Sequence, residues 1–385
     1  MLHRKVKRLA LALGAAALFA TTAVLPAAAE VTVGVIVSMT GPGAAMGVDI
    51  KRAINLIPAR VGDEPVRVVL LDDATDPTAA VRAARRLITE EKADVILGPT
   101  VNALIAAVVP VVDEAKVPMI GLSPYVPPAD KAKFVFRSVQ DADLMVGRIV
   151  EEMQKRKIRT AGFIGFADAW GDLLYKDFSA AAEKAGIRLT GAERYNRLDT
   201  SVTAQVLKIM AGRPEAVFIG GSATPATLPQ IELRKRGYKG LIFQSHGVAS
   251  REFIRVGGKD VEGTLLPVGP VLVAEQLPDS HPSKPVAMAF DEEIEKANGP
   301  GTRSSQAGTA WDAWLLVQNA LPKALEAAKP GTEAFHLALR DALENTRNLV
   351  GVHGVYNMTP ENHTGLDERA RVLVEVTGGG WKLVN

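Results

Sequence analysis

Residues 31–47 read VTVGVIVSMTGPGAAMG. A mostly β-branched run makes a strand, glycine and proline break it, and small residues then open a helix. A strand feeding a tight loop and a helix N-terminus is half of a βαβ unit, which commits the chain to a layered α/β architecture. In open sheets of this kind ligands collect at the strand carboxyl ends, where loop amides and helix N-termini face a crevice.

The pattern repeats along the chain. Strands are expected at 66–71, 94–97, 118–122 and 134–137, with helices at 78–90 and 102–116. Asp76-Pro77 marks a helix start, with Asp as N-cap and Pro at the first helical position. A second series then begins: helix 141–155, strand 161–166, helix 171–185, strand 216–221, helix 226–236 and strand 240–244. Short apolar runs between amphipathic helices indicate parallel sheets covered on both faces. Two such series imply two doubly wound α/β lobes, although no close residue repeat links them. GTLLPVGPV (263–271) reads as a crossing back, followed by helices at 287–297, 307–325 and 334–345 and a β-hairpin turning at 378–380.

The chain has 385 residues, 47% of them hydrophobic, enough for two lobes with cores of their own. Residues 1–29 begin MLHRKVKR, continue through an apolar run and end in Ala27-Ala28-Ala29. A basic start, a short apolar stretch and a small-residue end make a secretory signal peptide, with an uncleaved membrane anchor as the competing reading. Its removal takes away Arg4, Lys5, Lys7 and Arg8 and no acid, so the formal charge falls from +2 to −2. The basicity belongs to the leader, and no basic stripe points to nucleic acid. With no cysteine in the chain, disulfides, thiolate metal sites, a cysteine nucleophile and a lipid-anchored cysteine are excluded. A soluble protein of the bacterial periplasm is the simplest expectation.

Several motifs compete for function. The loop Gly41-x-Gly43-x-x-x-Gly47, with Asp72 and Asp73 ending the next strand, resembles a dinucleotide fingerprint, but its spacing is one residue too long. Export also removes the protein from cytoplasmic nicotinamide pools, so an exported oxidoreductase is the minority reading. The glycines are read instead as letting another ligand approach the backbone. Asp72, Asp73 and Asp76 lack the remaining ligands of a calcium loop and read as a strand end and a helix cap. There is no G-x-S-x-G and no H-E-x-x-H, and most histidines read as surface or loop residues. His246 differs, because QSHGVAS directly follows a strand. Trp170, in FADAWGD, reads as a cleft aromatic on a loop before a helix, whereas Trp311 and Trp314 sit at helical spacing and belong in a core. The reading is of a binding protein without a cofactor or metal.

Eight segments in register strengthen this: VGVIVSMTGPGAAMG, LLDDATDPTAAV, ADVILGPT, VPMIGLSP, DAWGD, AVFIGG, HGVAS and AWDAWLLVQNAL. Together they resemble the Leu/Ile/Val-binding branch of the periplasmic solute-binding proteins over essentially the whole mature chain. The resemblance implies a type I periplasmic binding protein fold, two lobes joined by a three-segment hinge that close on a small molecule. Lobe 1 would comprise 31–138 and 267–367, and lobe 2 would comprise 139–266 and 368–385. The loaded protein, a monomer, would dock on the permease and ATPase subunits of an ABC importer. A role feeding a sensory receptor stays open.

The resemblance also carries over a pocket. It places Met46 over the ligand, with Thr100, Val101, Asn102, Ser123 and Tyr125 from lobe 1 and Trp170, Ser222, Ala223 and His246 from lobe 2. Hydroxyls, amides and a helix N-terminus would hold the ligand carboxylate without Lys or Arg. Where amino-acid binders carry an acid for the α-ammonium, this chain aligns His246. A buried ammonium without a carboxylate costs several kcal/mol. The expected ligand is therefore an amine-free carboxylate with an apolar or aromatic body, and a branched-chain or other apolar amino acid is the alternative.

Overall fold

The structure, a computed structural model, describes residues 30–384. The expected signal peptide at 1–29 lies outside the described residues. Two parallel-sheet lobes make up the molecule. The first sheet runs Arg60–Val61, Glu64–Asp72, Val31–Val37, Val95–Leu97, Met119–Gly121, Val135–Arg137. Its neighbours pair in parallel except for the short hairpin at Arg60–Val61. In the second sheet the parallel strands are ordered Leu265–Val268, Leu241–Gln244, Ala216–Gly220, Thr160–Phe166, Arg188–Tyr195. The C-terminal hairpin, Val372–Thr377 with Gly380–Val384, adds antiparallel to Leu265–Val268.

Both sheets share one winding: the first strand lies inside, with the second on one side and the third on the other. Connections leave that strand in opposite directions, so the loops at its carboxyl end part and open a crevice. In the first sheet the crevice lies between Val31–Val37 and Val95–Leu97; in the second it lies between Thr160–Phe166 and Ala216–Gly220.

The cores follow from period-two alternation within fully buried strands. Val31, Val33, Val35 and Val37 face Ile50, Phe290, Trp314 and Phe335, while Ile36 turns to the opposite layer with Ala80, Leu87, Leu104 and Val108. Helices Lys284–Asn298, Ser305–Ala327 and Glu333–Glu344 thus cover the first sheet although they follow the second in sequence. Trp314 is fully buried, and Trp311 stacks on Phe290 with ring centroids 5.5 Å apart. The second lobe has its own aromatic core around Phe163, Phe178 and Phe218. Asp76 caps helix Pro77–Thr89 as expected, accepting from Ala79 N at 2.7 Å with Pro77 at the first position.

The longer elements that escape the sequence reading are strand Arg188–Tyr195 and helices Thr203–Ala211 and Arg251–Gly257, along with the two-residue strands Arg60–Val61, Leu349–Val350 and Val355–Tyr356. Arg188–Tyr195 is an edge strand whose sequence, RLTGAERY, is half exposed, so it carries no continuous apolar run. The glycines of the first loop also serve the fold rather than a ligand. A β-carbon on Gly41 would lie 2.4 Å from the Ala74 carbonyl oxygen, and one on Gly47 would lie 2.0 Å from that of Ser38. They admit the protein's own backbone. Gly171 does the same in the second lobe, where a β-carbon would meet the Phe166 carbonyl at 1.9 Å.

The histidines need correction too, since His353 and His363 are buried. His363 stacks on Phe136 at 4.2 Å, and His353 sits where the chain passes between the sheets. The Nε2–H of His353 donates to the Ser305 carbonyl at 2.9 Å, and its Nδ1 accepts from Gln140 at 3.2 Å. Gln140 also donates to Ala370 at 2.9 Å, and a β-carbon on Gly269 would strike the His353 ring. Gln140 and Gly269, from two of the passages between the sheets, thus meet at the imidazole, and Gln140 ties in the third through Ala370.

Beside it, the Tyr356 hydroxyl lies 2.7 Å from the Ser138 carbonyl and 2.8 Å from Asp312 Oδ2. Asp312 also accepts from the N–H groups of Val352 at 2.7 Å and His353 at 2.9 Å. Complete burial pushes its pKa up to about 7 against these hydrogen bonds. None of the helices among the described residues is long and apolar enough to cross a membrane.

Candidate functional site

The two crevices face one another and enclose a cavity with about 560 Å³ of atom-free space, part of it open to solvent. From the first lobe, Met46 and Ile50 reach it from helix Ala44–Ile54, and Leu122 and Ser123 from the end of strand Met119–Gly121. Thr100, Val101 and Asn102 reach it from the start of helix Asn102–Ala115. The first amides of that helix have no intrahelical partner and carry the positive end of its dipole.

Hydroxyl protons on this wall are directed into the protein. Thr100 donates to Ser38 Oγ at 3.2 Å, and Ser38 donates to Asp73 Oδ1 at 2.6 Å. Burial raises the Asp73 pKa, with the Ser38 hydroxyl opposing the shift. Ser123 donates to the Asn102 side-chain oxygen.

The second wall is bulkier and charged. Asp168 caps helix Ala169–Lys184 through Trp170 N at 2.9 Å and Gly171 N at 3.1 Å, which places Trp170 in the first helical turn rather than on a loop. The indole nitrogen donates to the Gly221 carbonyl at 3.1 Å, and the ring meets His246 edge to face with centroids 5.4 Å apart. His246 follows strand Leu241–Gln244 in a single 3-10 turn, 7% exposed. Burial and, secondarily, nearby His353 push its pKa down to about 4, so the imidazole is neutral at pH 7. Ser222 lines the cavity after strand Ala216–Gly220.

Eight of the ten expected residues thus line one cavity: Met46, Thr100, Val101, Asn102, Ser123, Trp170, Ser222 and His246. Ala223 lies behind it. Its N–H donates to the Gly247 carbonyl at 3.0 Å, and its side chain packs in the cluster that holds Met46 and Val101. Tyr125 is carried past the cavity by Pro124 and lines a neighbouring groove with Arg137, Asp141 and Asp177.

The sequence reading missed Arg197. It follows the edge strand Arg188–Tyr195, and its guanidinium stacks 4.1 Å over the Phe166 ring. Its Nε donates to Asp168 Oδ2 at 2.6 Å and one terminal nitrogen to Ser222 Oγ at 3.0 Å. Asp168 therefore aims both the indole and the guanidinium. Also missed were Ser305, Gln306 and Thr309, from the first turns of helix Ser305–Ala327. Among the described residues lining the cavity there is no Asp, Glu or Lys, and Arg197 is the one charged side chain. Arg197 is itself paired with Asp168 at 2.6 Å, so the wall offers guanidinium N–H donors to an anion and no acidic partner to a cation.

The periplasmic binding protein family profile matches residues 30–380. A Leu/Ile/Val-binding protein homolog 3 from Brucella melitensis biotype 1 is 29% identical over 249 residues, covering 62% of this chain and 67% of that protein. An extracellular ligand-binding receptor from Rhodopseudomonas palustris superposes with a TM-score of 0.91 at 40% identity, over 93% of this chain and 100% of the other. A solute-binding protein of an ABC transporter from R. palustris, solved with 4-hydroxybenzoate, shares the fold at a TM-score of 0.79 and 20% identity, over 92% and 96% of the two chains.

Proposed function

The chain belongs to the periplasmic binding protein family, and from that premise we propose that it is the solute-binding component of an ABC importer. It works outside the cytoplasm and closes its two lobes on a small apolar or aromatic carboxylate, with permease and ATPase subunits as its partners. The observation that carries the ligand class is the charge of the cavity wall: one guanidinium, at Arg197, and no carboxylate.

An α-amino acid brings a carboxylate and an ammonium into the same chamber. The ammonium would be desolvated with no acid beside it, because Asp168 is already engaged by Arg197 and Asp73 stands behind Ser38. That loss amounts to several kcal/mol. An amine-free acid avoids it. The guanidinium N–H groups of Arg197 not taken by Asp168 and Ser222 supply charge-assisted donors, and the unpaired amides opening helix Asn102–Ala115 supply neutral donors from the facing lobe. Met46, Ile50, Leu122, Val139 and Trp170 offer an apolar surface to the body of the ligand. A protein of the same fold was solved with 4-hydroxybenzoate, so the architecture accommodates an aromatic acid. The neutral His246 serves recognition, with no chemical step assigned to it.

A thermal-shift panel on the mature protein, stripped of ligand by unfolding and refolding, tests this reading. Benzoates, cinnamates and medium-chain acids are set against Leu, Ile, Val and Phe. A ligand at a hundredfold excess over its Kd adds about 2.7 kcal/mol, a readily visible shift. Stabilisation by amine-free acids is the expected result. Stabilisation by the amino acids alone replaces the carboxylate reading with the branched-chain amino-acid one.

A further inference from the structure

The lobes also touch outside the cavity. Helix Arg251–Gly257 and the 3-10 turn His246–Val248 before it belong to the second lobe. The loop joining helices Lys284–Asn298 and Ser305–Ala327 belongs to the first. Across this seam the Ser305 N–H donates to the Ala249 carbonyl at 3.3 Å. Ser305 opens its helix, so its amide has no intrahelical acceptor and the bond between the lobes is what occupies it. A side chain makes the second contact. A β-carbon on Gly301 would lie 1.9 Å from Arg251 Cζ and 2.1 and 2.3 Å from its two terminal nitrogens. Near-equal distances to all three atoms mean that the guanidinium of the second lobe lies face on against the main chain of the first, where only glycine leaves room.

Charge does not account for that placement. The carboxylates lining the same groove are engaged elsewhere: Asp49 pairs with Arg52 at 2.6 Å, and Glu252 accepts from Arg255 Nε at 2.7 Å. Arg303, another arginine of the groove, is held by Glu275 at 2.6 and 2.8 Å. Arg251 itself has no ion pair among the described residues, and it is exposed. Packing on Gly301 is what gives the side chain its place, and a planar, weakly hydrated head suits arginine to such packing.

Resting on the lobe-closure reading above, we propose that Arg251 is a positioning residue of the closed form: seated on Gly301, it holds the lobes together and tightens the binding of every ligand by one common factor. It lines no part of the ligand cavity, so it does not choose among ligands. The physical basis is population. Apparent affinity scales with the fraction of protein in the binding-competent arrangement, and a contact that opening breaks raises that fraction whatever the ligand. Arg197 acts on the charge of the ligand, and Arg251 acts on closure.

Hydrogen–deuterium exchange at the Ser305 amide tests the seam on the stripped mature protein with no ligand added. In Arg251→Ala that amide should exchange about fivefold faster than in wild type, the loss expected from one packed side chain, with the melting point unchanged. Titration calorimetry with benzoate, cinnamate, 3-phenylpropanoate, leucine and phenylalanine then tests affinity. Every probe that binds the wild type should lose roughly fivefold in Arg251→Ala, agreeing with the others within about twofold, through faster dissociation. Arg251→Lys keeps the charge and loses the flat face, so it should behave like Arg251→Ala. Unchanged exchange at Ser305, or unchanged affinity for the probes that bind, overturns the proposal. So does a loss confined to the acids, or full retention in Arg251→Lys, since either assigns the effect to charge. Binding of the amino acids alone removes the carboxylate reading and leaves this one to be judged by the common factor. If no probe binds, the exchange rate at Ser305 decides it.

Discussion

The two lobes are wound alike and furnished differently. Each puts its first strand beside a topological switch and packs the following helix so closely that only glycine fits, Gly47 in one and Gly171 in the other. The first lobe then presents small residues, helix amides and hydroxyls whose protons run inward to Ser38 and Asn102. The second presents an indole, an imidazole and a guanidinium, two of them aimed by Asp168. Shared topology opens a crevice at the same place in each lobe, and the proposed ligand class rests on the side chains of the second lobe. Specificity can therefore diverge on one face of a cavity while the other face keeps its form.

This asymmetry predicts unequal losses when the walls are trimmed. Arg197→Met should weaken binding of an amine-free acid by about 100-fold or more, from the 2–5 kcal/mol typical of breaking a buried charge pair. A loss under threefold by titration calorimetry would move the countercharge to the first lobe. Trp170→Ala comes next, with roughly 10- to 100-fold expected from the loss of a buried aromatic wall, and with a lower unliganded melting point because the ring also packs in the second lobe's core. Thr100→Val should cost no more than about tenfold, the value of one neutral hydrogen bond. If Thr100→Val outweighs Arg197→Met, the ranking of the lobes is reversed.

The smallest effect belongs to the region between them, and its sign follows from burial. Asp312 has a pKa of about 7 in the fold against 3.8 for the free group, so the folded state holds a proton that the unfolded chain has lost. Its contribution is complete below about pH 4 and is lost as pH rises through 7. Asp312→Asn, which cannot ionise, should therefore compare better with wild type at pH 8 than at pH 5 in melting temperature. An equal difference at both values would mean that Asp312 does not change its charge between them. His246 and His353 carry the opposite sign. Each has its pKa lowered from 6.5 to about 4 by burial, so their contribution is present above 6.5 and lost as pH falls toward 4.

Most of the fold was legible because parallel strands buried on both faces leave short apolar runs, and the loops after them are where crevices open. That logic singles out Trp170 and His246, and the family resemblance adds Thr100, Ser123 and Ser222; all five line the cavity. It failed where the signal is physically absent. Arg197 follows an edge strand that is half exposed and reads as polar, so neither the strand nor the loop behind it stood out. The turn-rich YNRLDTS after that strand was the one hint of its end. Gln306 and Thr309 come from a helix whose apolar pattern announced packing, and only the return of the chain across the sheets turns its first turns toward the cavity. His353, between glycines in GVHGV, reads as a loop residue because sequence does not show that Gln140 and Ser305, far away in the chain, pack on its ring.

The most direct test sets acids against amino acids that differ only by the ammonium: 3-phenylpropanoate against phenylalanine and 4-methylpentanoate against leucine, by titration calorimetry at pH 7 on the stripped wild-type protein. With a cavity wall that holds Arg197 and no carboxylate, the acid of at least one pair should bind about 100-fold or more tightly than its amino acid, in line with the several kcal/mol lost by an unpaired buried charge. Tighter binding of the amino acid in both pairs would contradict the account, and would require an acid to reach the ligand from outside the present wall.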